Sequence, residues 1–207
     1  MTDQAKRPII IGLTGSIGMG KSAVAKMFEG EGVAVFDADA AVHALQGLGS
    51  ALLPAIELAF PGSTGAHGVD RAALGAMVFG DKAELAKLEA IIHPAVAAER
   101  AAFLAAHAED DIVVFDIPLL FEKGGADKVD KIVVVSAPES VQRSRVLARA
   151  DMTVEKFESI LKLQMPDSEK RKRADFVIDT GISLAQTAAN IGKLVKSLHA
   201  PLAHLSK

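Results

Sequence analysis

The segment Pro8-Ile9-Ile10-Ile11-Gly12-Leu13-Thr14 is an apolar run, and it leads directly into Gly15-Ser16-Ile17-Gly18-Met19-Gly20-Lys21-Ser22. The second octet reads Gly-x-x-x-x-Gly-Lys-Ser. A helical pattern, Ala23-Val24-Ala25-Lys26-Met27-Phe28, follows it. Strand, glycine loop and helix in that order form the context in which this motif cradles phosphate. Glycines let successive N–H groups turn toward phosphate oxygens, and a helix N-terminus adds partial positive charge. All eight residues of the loop are therefore candidate nucleotide ligands. Lys21 is the residue to reach the β- and γ-phosphates, and the Ser22 hydroxyl is a candidate Mg²⁺ ligand. A ligand-free glycine turn is the plain alternative, but the flanks and order of elements favour a nucleoside triphosphate site.

Working outward, strand-length apolar runs alternate with helical patterns. Ile9 to Thr14 is the first predicted strand, and Val33-Ala34-Val35-Phe36 the second, ending at Asp37-Ala38-Asp39. Ile112 to Asp116, Lys131 to Ser136 and Asp175 to Asp179 complete the set. Runs so uniformly apolar suit strands covered on both faces of a parallel sheet. The expectation is a doubly wound α/β sandwich on a five-stranded parallel sheet. Residues 8–39 and 111–199 would form its nucleotide-binding core, with a helical lid over about residues 140–170.

Residues 40–110 offer no convincing strand. Leu74, Met77 and Val78, then Leu85, Leu88 and Ile92, recur at helical spacing. A helical insertion is expected there, with a loop over residues 62–68 and Asp70 capping the next helix. Pro94 should break or kink its helix at His93. Lys170-Arg171-Lys172-Arg173 is the one strong charge run.

Composition narrows the classes. A chain of 207 residues, half of them hydrophobic, can bury a sizeable core. A net charge of -3 argues against a dedicated nucleic-acid binder. With no cysteine, disulfides, thiolate metal sites and cysteine nucleophiles are excluded. The opening residues lack the apolar core of a secretion signal, and no run approaches the ~20 apolar residues of a membrane span. A cytoplasmic protein that does not bind membranes is expected, as a monomer or weak homo-oligomer.

Several constellations bear on chemistry. Asp37 and Asp39 lie at the carboxyl end of a strand, the edge where open parallel sheets bind ligands. Two carboxylates there could orient Mg²⁺ or take a proton from an acceptor hydroxyl; equally, Asp39 could simply cap the helix through Val42 and Leu45. Asp116 ends four apolar residues, the pattern of a Walker B aspartate that holds Mg²⁺, although a turn before Pro118 would also use it. Gln142, Arg145 and Arg149, at spacings of three and four, share one face of a helix, with Arg143 turned away. They could clamp phosphates in a lid, or form an ordinary solvated basic face. Arg71 and His93 have no reading from spacing alone, and a lone histidine more often packs or caps.

Taken together, these segments resemble the dephospho-coenzyme A kinase family. The similarity rests on Gly12-Leu13-Thr14-Gly15 with the P-loop, Asp37-Ala38-Asp39, Asp70-Arg71 with Leu74, and Leu88-Glu89 with His93-Pro94. It continues through Asp116 with Pro118-Leu119-Leu120-Phe121-Glu122, then Gln142 with Arg145 and Arg149, then Gln164, Lys170 and Ala174-Asp175. The resemblance covers about residues 9–181 and implies that ATP, with Mg²⁺, phosphorylates the ribose 3′-hydroxyl of dephospho-coenzyme A. It further implies Asp39 as general base, and Lys21 and Arg145 on the transferring phosphate. Arg149 would lie near the nucleotide, and Arg71, His93 and Leu119 at the acceptor. Ser16 and Met19 depart from the family's smaller residues at variable loop positions. Thr180 stands where an asparagine is usual, near the place of the adenine. A different small-metabolite kinase on the same fold is the nearest competing reading. A GTPase switch would need Asn-Lys-x-Asp, which the chain lacks.

Overall fold

A computed structural model describes residues 7–199. Residues 1–6, on which the absence of a secretion signal was partly read, lie outside it. The described chain contains β1 (Ile9–Thr14), α1 (Lys21–Gly30), β2 (Ala34–Asp37), α2 (Ala38–Leu45), α3 (Leu53–Ala59), β3 (Thr64–Gly65) and β4 (Gly68–Val69). Then come α4 (Arg71–Val78), α5 (Lys82–Ala106), β5 (Ile112–Asp116), β6 (Lys131–Ser136), α6 (Glu139–Leu147), α7 (Val154–Lys162), α8 (Asp167–Lys172), β7 (Phe176–Asp179) and α9 (Leu184–His199). Contacts divide the chain into two compact units: one holds the residues up to Phe36 and from His107 onward, the other Asp37–Ala106.

The first unit is built on a five-stranded sheet of order β2-β5-β1-β6-β7. β1 pairs in parallel with β5 on one side and β6 on the other, and β6 with β7. The chain leaves β1 where the strand order reverses, the switch point at which such sheets bind ligands. Its register sets Leu13 beside Asp116, so that the carboxylate stands level with the start of the P-loop. Ile11, Leu13, Val114, Val133 and Val135 fill the sheet's interior against Val24 and Phe28 of α1 and Ile191 and Val195 of α9. Burying a Leu or Phe side chain contributes about 1.5–3 kcal/mol, so this cluster alone fixes α1, and with it the loop, to the sheet.

Strand ends differ from the sequence reading by one residue, for local reasons. The N–H of Val33 bonds back to Phe28 O at 3.0 Å, which keeps Val33 in the turn after α1. Asp175 precedes β7 because its carboxylate takes the N–H of Ile132 at 2.8 Å.

In the second unit, α2 to α5 enclose Ile56, Phe60, Leu74, Leu88 and Ile92. Asp70 caps α4, accepting from the N–H groups of Ala72 and Ala73 at 3.0 Å each. Two expectations are corrected. Residues 62–68 are not a plain loop but carry the small antiparallel hairpin β3–β4, braced by the Glu57 carboxylate on Gly62 N, Thr64 N and Thr64 Oγ1. Nor does α5 break at His93: it runs through Pro94. Ala90, whose carbonyl would lose the Pro94 partner, is exposed, as are His93 and Pro94 themselves. Water can serve the freed carbonyl, so the proline costs this helix less than it would a buried one.

Candidate active site

The P-loop is shaped by its packing. Gly18 has φ +77°, and a Cβ there would lie 2.4 Å from Val146 Cγ2 of α6. Gly20 precedes α1 in the left-handed region, at φ +85°. Both positions require glycine. Within the loop, Met19 N donates to Ser16 O at 3.1 Å. Among the described residues, the N–H groups of Gly18, Gly20, Lys21 and Ser22 have no protein acceptor. Four orphan donors at a helix N-terminus are suited to phosphate oxygens.

Lys21 forms an ion pair with Asp116; their side chains are 18% and 6% exposed. The sequence reading sent Lys21 to phosphate and Asp116 to Mg²⁺, whereas here each is the other's partner. A phosphate or cation reaching either residue must compete with that pair. Ser22 is exposed at the rim. Gly15 to Ala23 line a cleft of about 380 Å³ with Pro118, Arg149, Ile160 and Gln164.

The expected basic stripe does not exist as one helix face. α6 ends at Leu147, so Arg149 lies past the cap, exposed and in the cleft. Arg145 donates to Thr180 Oγ1 at 3.1 Å and Thr180 O at 2.7 Å. The Thr180 hydroxyl donates in turn to Met19 O at 2.7 Å. Thus Thr180, noted only as a departure from the family pattern, ties Arg145 to the P-loop. Gln142 is 5% exposed and turned inward, donating through Nε2 to Ile17 O at 2.7 Å. Gln164 Oε1 accepts the Ile17 N–H at 3.0 Å.

Leu119 lies half-buried in the turn after β5, next to Pro118, whose carbonyl accepts from Thr14 Oγ1 at 3.1 Å. That turn also carries Glu122, whose Oε1 accepts Met165 N at 2.7 Å and lies 2.9 Å from Lys170 Nζ. Lys170 is fully buried. Burial pushes the Glu122 carboxyl up, but Lys170 and the Met165 N–H outweigh it and hold it below the ordinary carboxylate range. Sequence reasoning placed Gln164, Glu122 and Lys170 in the family pattern without a role; their mutual contacts carry no signal in spacing.

The remaining candidates belong to the second unit. The cap of α2 is Asp37, accepting from Ala40 N at 2.9 Å, and not Asp39. Asp39 sits exposed in the first turn of that helix. Arg71 is the first residue of α4, and His93 lies mid-way along α5; both are exposed.

A parallel α/β sheet with a P-loop at its switch point, a P-loop lysine and a carboxylate ending the neighbouring strand defines a P-loop kinase fold and site. The model of the dephospho-CoA kinase family matches residues 9–186. A dephospho-CoA kinase of Novosphingobium aromaticivorans is 63% identical over 192 residues, covering 93% of this chain and 96% of the relative. A crystal structure from Thermus thermophilus, 35% identical, has a TM-score of 0.81 over 93% of this chain and 99% of its own. The fold is shared also with a dephospho-CoA kinase from Campylobacter jejuni, at 24% identity and a TM-score of 0.63 over 91% of this chain and 96% of the other. The chain belongs to the dephospho-CoA kinase family.

Proposed function

We propose that this chain transfers the γ-phosphoryl group of ATP to the ribose 3′-hydroxyl of dephospho-CoA, giving coenzyme A and ADP, the last step of coenzyme A synthesis. The observation that carries the phosphoryl-transfer half is the P-loop with its four orphan N–H donors and Lys21 beside Asp116. Family membership supplies the acceptor. Phosphoryl transfer asks the protein for charge neutralisation on the γ-phosphoryl and an in-line hydroxyl. Backbone donors and Lys21 meet the first need, with Arg149 in the same cleft and Arg145 beside Gly20. Asp39, a carboxylate in the first turn of α2 that does not cap it, would serve the second. Arg71, His93 and Leu119 would hold the acceptor.

Among the described residues no cluster of three acidic or histidine side chains could hold a metal ion. Mg²⁺ at a nucleotide is held by phosphates and water with one or two protein oxygens. Ser22 and Asp116 are hard oxygen donors of the right kind and would hold it, and when bound it would supply charge neutralisation for the triphosphate. No helix among the described residues is long and apolar enough to cross a membrane.

The test is ADP release measured against a panel of acceptors. Dephospho-CoA should raise ADP release at least ~100-fold over ATP alone, the scale of a correctly positioned acceptor. AMP and shikimate should leave the rate near background. Equal stimulation by AMP would move the chain to another small-metabolite kinase. ADP release indifferent to every acceptor would make it a hydrolase or switch.

A further inference from the structure

Both main-chain groups of one P-loop residue, Ile17, are held by glutamine side chains from elsewhere in the fold. Its C=O accepts from Gln142 Nε2 at 2.7 Å, and its N–H donates to Gln164 Oε1 at 3.0 Å. One amide supplies the donor and the other the acceptor, both without charge. The two residues also occupy special places. Gln142 lies in α6 and Gln164 just beyond Leu163, the cap of α7. Between them runs the segment carrying Arg145, Arg149 and α7, with Asp151 at φ +58° in its turn. Asp151 is the one non-glycine residue with positive φ among those described, a backbone setting that marks a strained turn. Both roots of this segment are therefore fastened to the same residue, through the two peptide groups that flank it.

The fastening is itself supported. Gln142 is nearly buried, and an unpartnered buried amide would be costly. Gln164 precedes Met165, whose N–H is taken by Glu122, and Glu122 is paired with the fully buried Lys170. Because Gln164 already takes the Ile17 N–H, phosphate is left to the loop's other donors, those of Gly18, Gly20, Lys21 and Ser22 among them. Because Gln142 donates to the Ile17 carbonyl, that oxygen is spoken for instead of free to swing toward an anion.

We propose that Gln142 and Gln164 are positioning residues that set the P-loop for the triphosphate and tie its shape to the arginine-bearing segment between them. They act on nucleotide binding and not on the chemical step. The proposal rests on the reading that the P-loop holds ATP.

The test uses the full chain and the near-isosteric variants Gln142→Met and Gln164→Met. Amide exchange at Ile17, read without nucleotide, should be slow in the parent, fast in Gln164→Met and still slow in Gln142→Met. The dissociation constant of ATP should rise about 5- to 30-fold in each, the scale of one lost hydrogen bond with its partner left unsatisfied. At saturating ATP, kcat should fall by less than about 3-fold, and the KM of dephospho-CoA should change no more. The double variant should lose less than the product of the two single effects, because both act on one residue of the loop. Slow Ile17 exchange in Gln164→Met, or unchanged ATP affinity in both variants, overturns the proposal. So does a kcat loss larger than the affinity loss, which would place the glutamines in the chemical step. A parent that binds no ATP would instead sink the reading beneath it. The two failures are distinguishable because the exchange measurement needs no nucleotide.

Discussion

At the scale of single residues, the proposed chemistry is tested at Lys21, Asp37 and Asp39. Lys21 is mostly buried against Asp116, so its ammonium is held near the loop before any phosphate arrives. Removing a preorganised charge aimed at developing negative charge typically costs a factor of about 100–1,000 in turnover. Lys21→Ala should lose at least ~100-fold in kcat, and its melting temperature should fall as well because the change breaks the largely buried pair with Asp116; near-normal turnover of the folded variant would take Lys21 out of the mechanism. For the aspartates, the cap assignment sharpens the expectation. Asp37 is the capping residue, and asparagine caps about as well as aspartate. Asp37→Asn should therefore change kcat by no more than a few-fold. Asp39→Asn removes the proposed proton acceptor and should cost ~100- to 10,000-fold, the usual range for a general base, with ATP affinity little altered. Steady-state kinetics with both substrates varied decides it, and the reverse pattern would make Asp37 the base. The local motif showed where carboxylates stand. It could not show which one the helix consumes as a cap, because either residue offers an oxygen to the first turn.

At the level of elements, the strands were legible because a buried parallel strand must be apolar along its whole length. The burial pattern of β5, buried at every position, is that rule in its plainest form. Helix ends were less legible. Pro94 breaks a helix only if the freed carbonyl has no other partner, and exposure there is a tertiary property. Likewise, the spacing of Gln142, Arg145 and Arg149 promised a shared face, yet α6 ends at Leu147 and the three side chains go to three different places. The element that most repays testing is α8, anchored by Lys170 to Glu122 on the turn after β5. Removing one partner of a buried ion pair costs about 3–5 kcal/mol, whereas replacing both with apolar groups is often neutral. Lys170→Met should be destabilised on that scale in denaturant unfolding, and Glu122→Leu/Lys170→Met should recover much of the loss. A single variant within ~1 kcal/mol of the parent would mean the pair is not what holds α8, since loss of a buried pair does not cost so little.

For the whole molecule, the same pair sets a pH dependence. Burial raises the Glu122 carboxyl, but Lys170 and the Met165 N–H leave it net lowered. The hydrogen bond from Arg7 holds Asp130 low as well. A carboxyl lowered on folding adds stability that is complete above its unfolded value, about 4, and is lost as pH falls through the folded one. The denaturant midpoint should stay level from pH 7 to about 5 and then drop, with a shallower drop in the Glu122→Leu/Lys170→Met variant. An equal drop in both proteins would remove Glu122 from the acid limb. The five-stranded sheet, the loop at its switch point and the kinase family were all readable from the chain. The contacts that hold the loop in shape were not, because Ile17, Gln142 and Gln164 are joined only by folding.

The most direct measurement is the identity of the product formed from ATP and dephospho-CoA. Phosphorus NMR and mass of the purified product should show one new phosphate monoester on the ribose 3′-oxygen, formed in equal amount with ADP. ADP accompanied only by inorganic phosphate, or a phosphate placed elsewhere on the acceptor, would contradict the assignment.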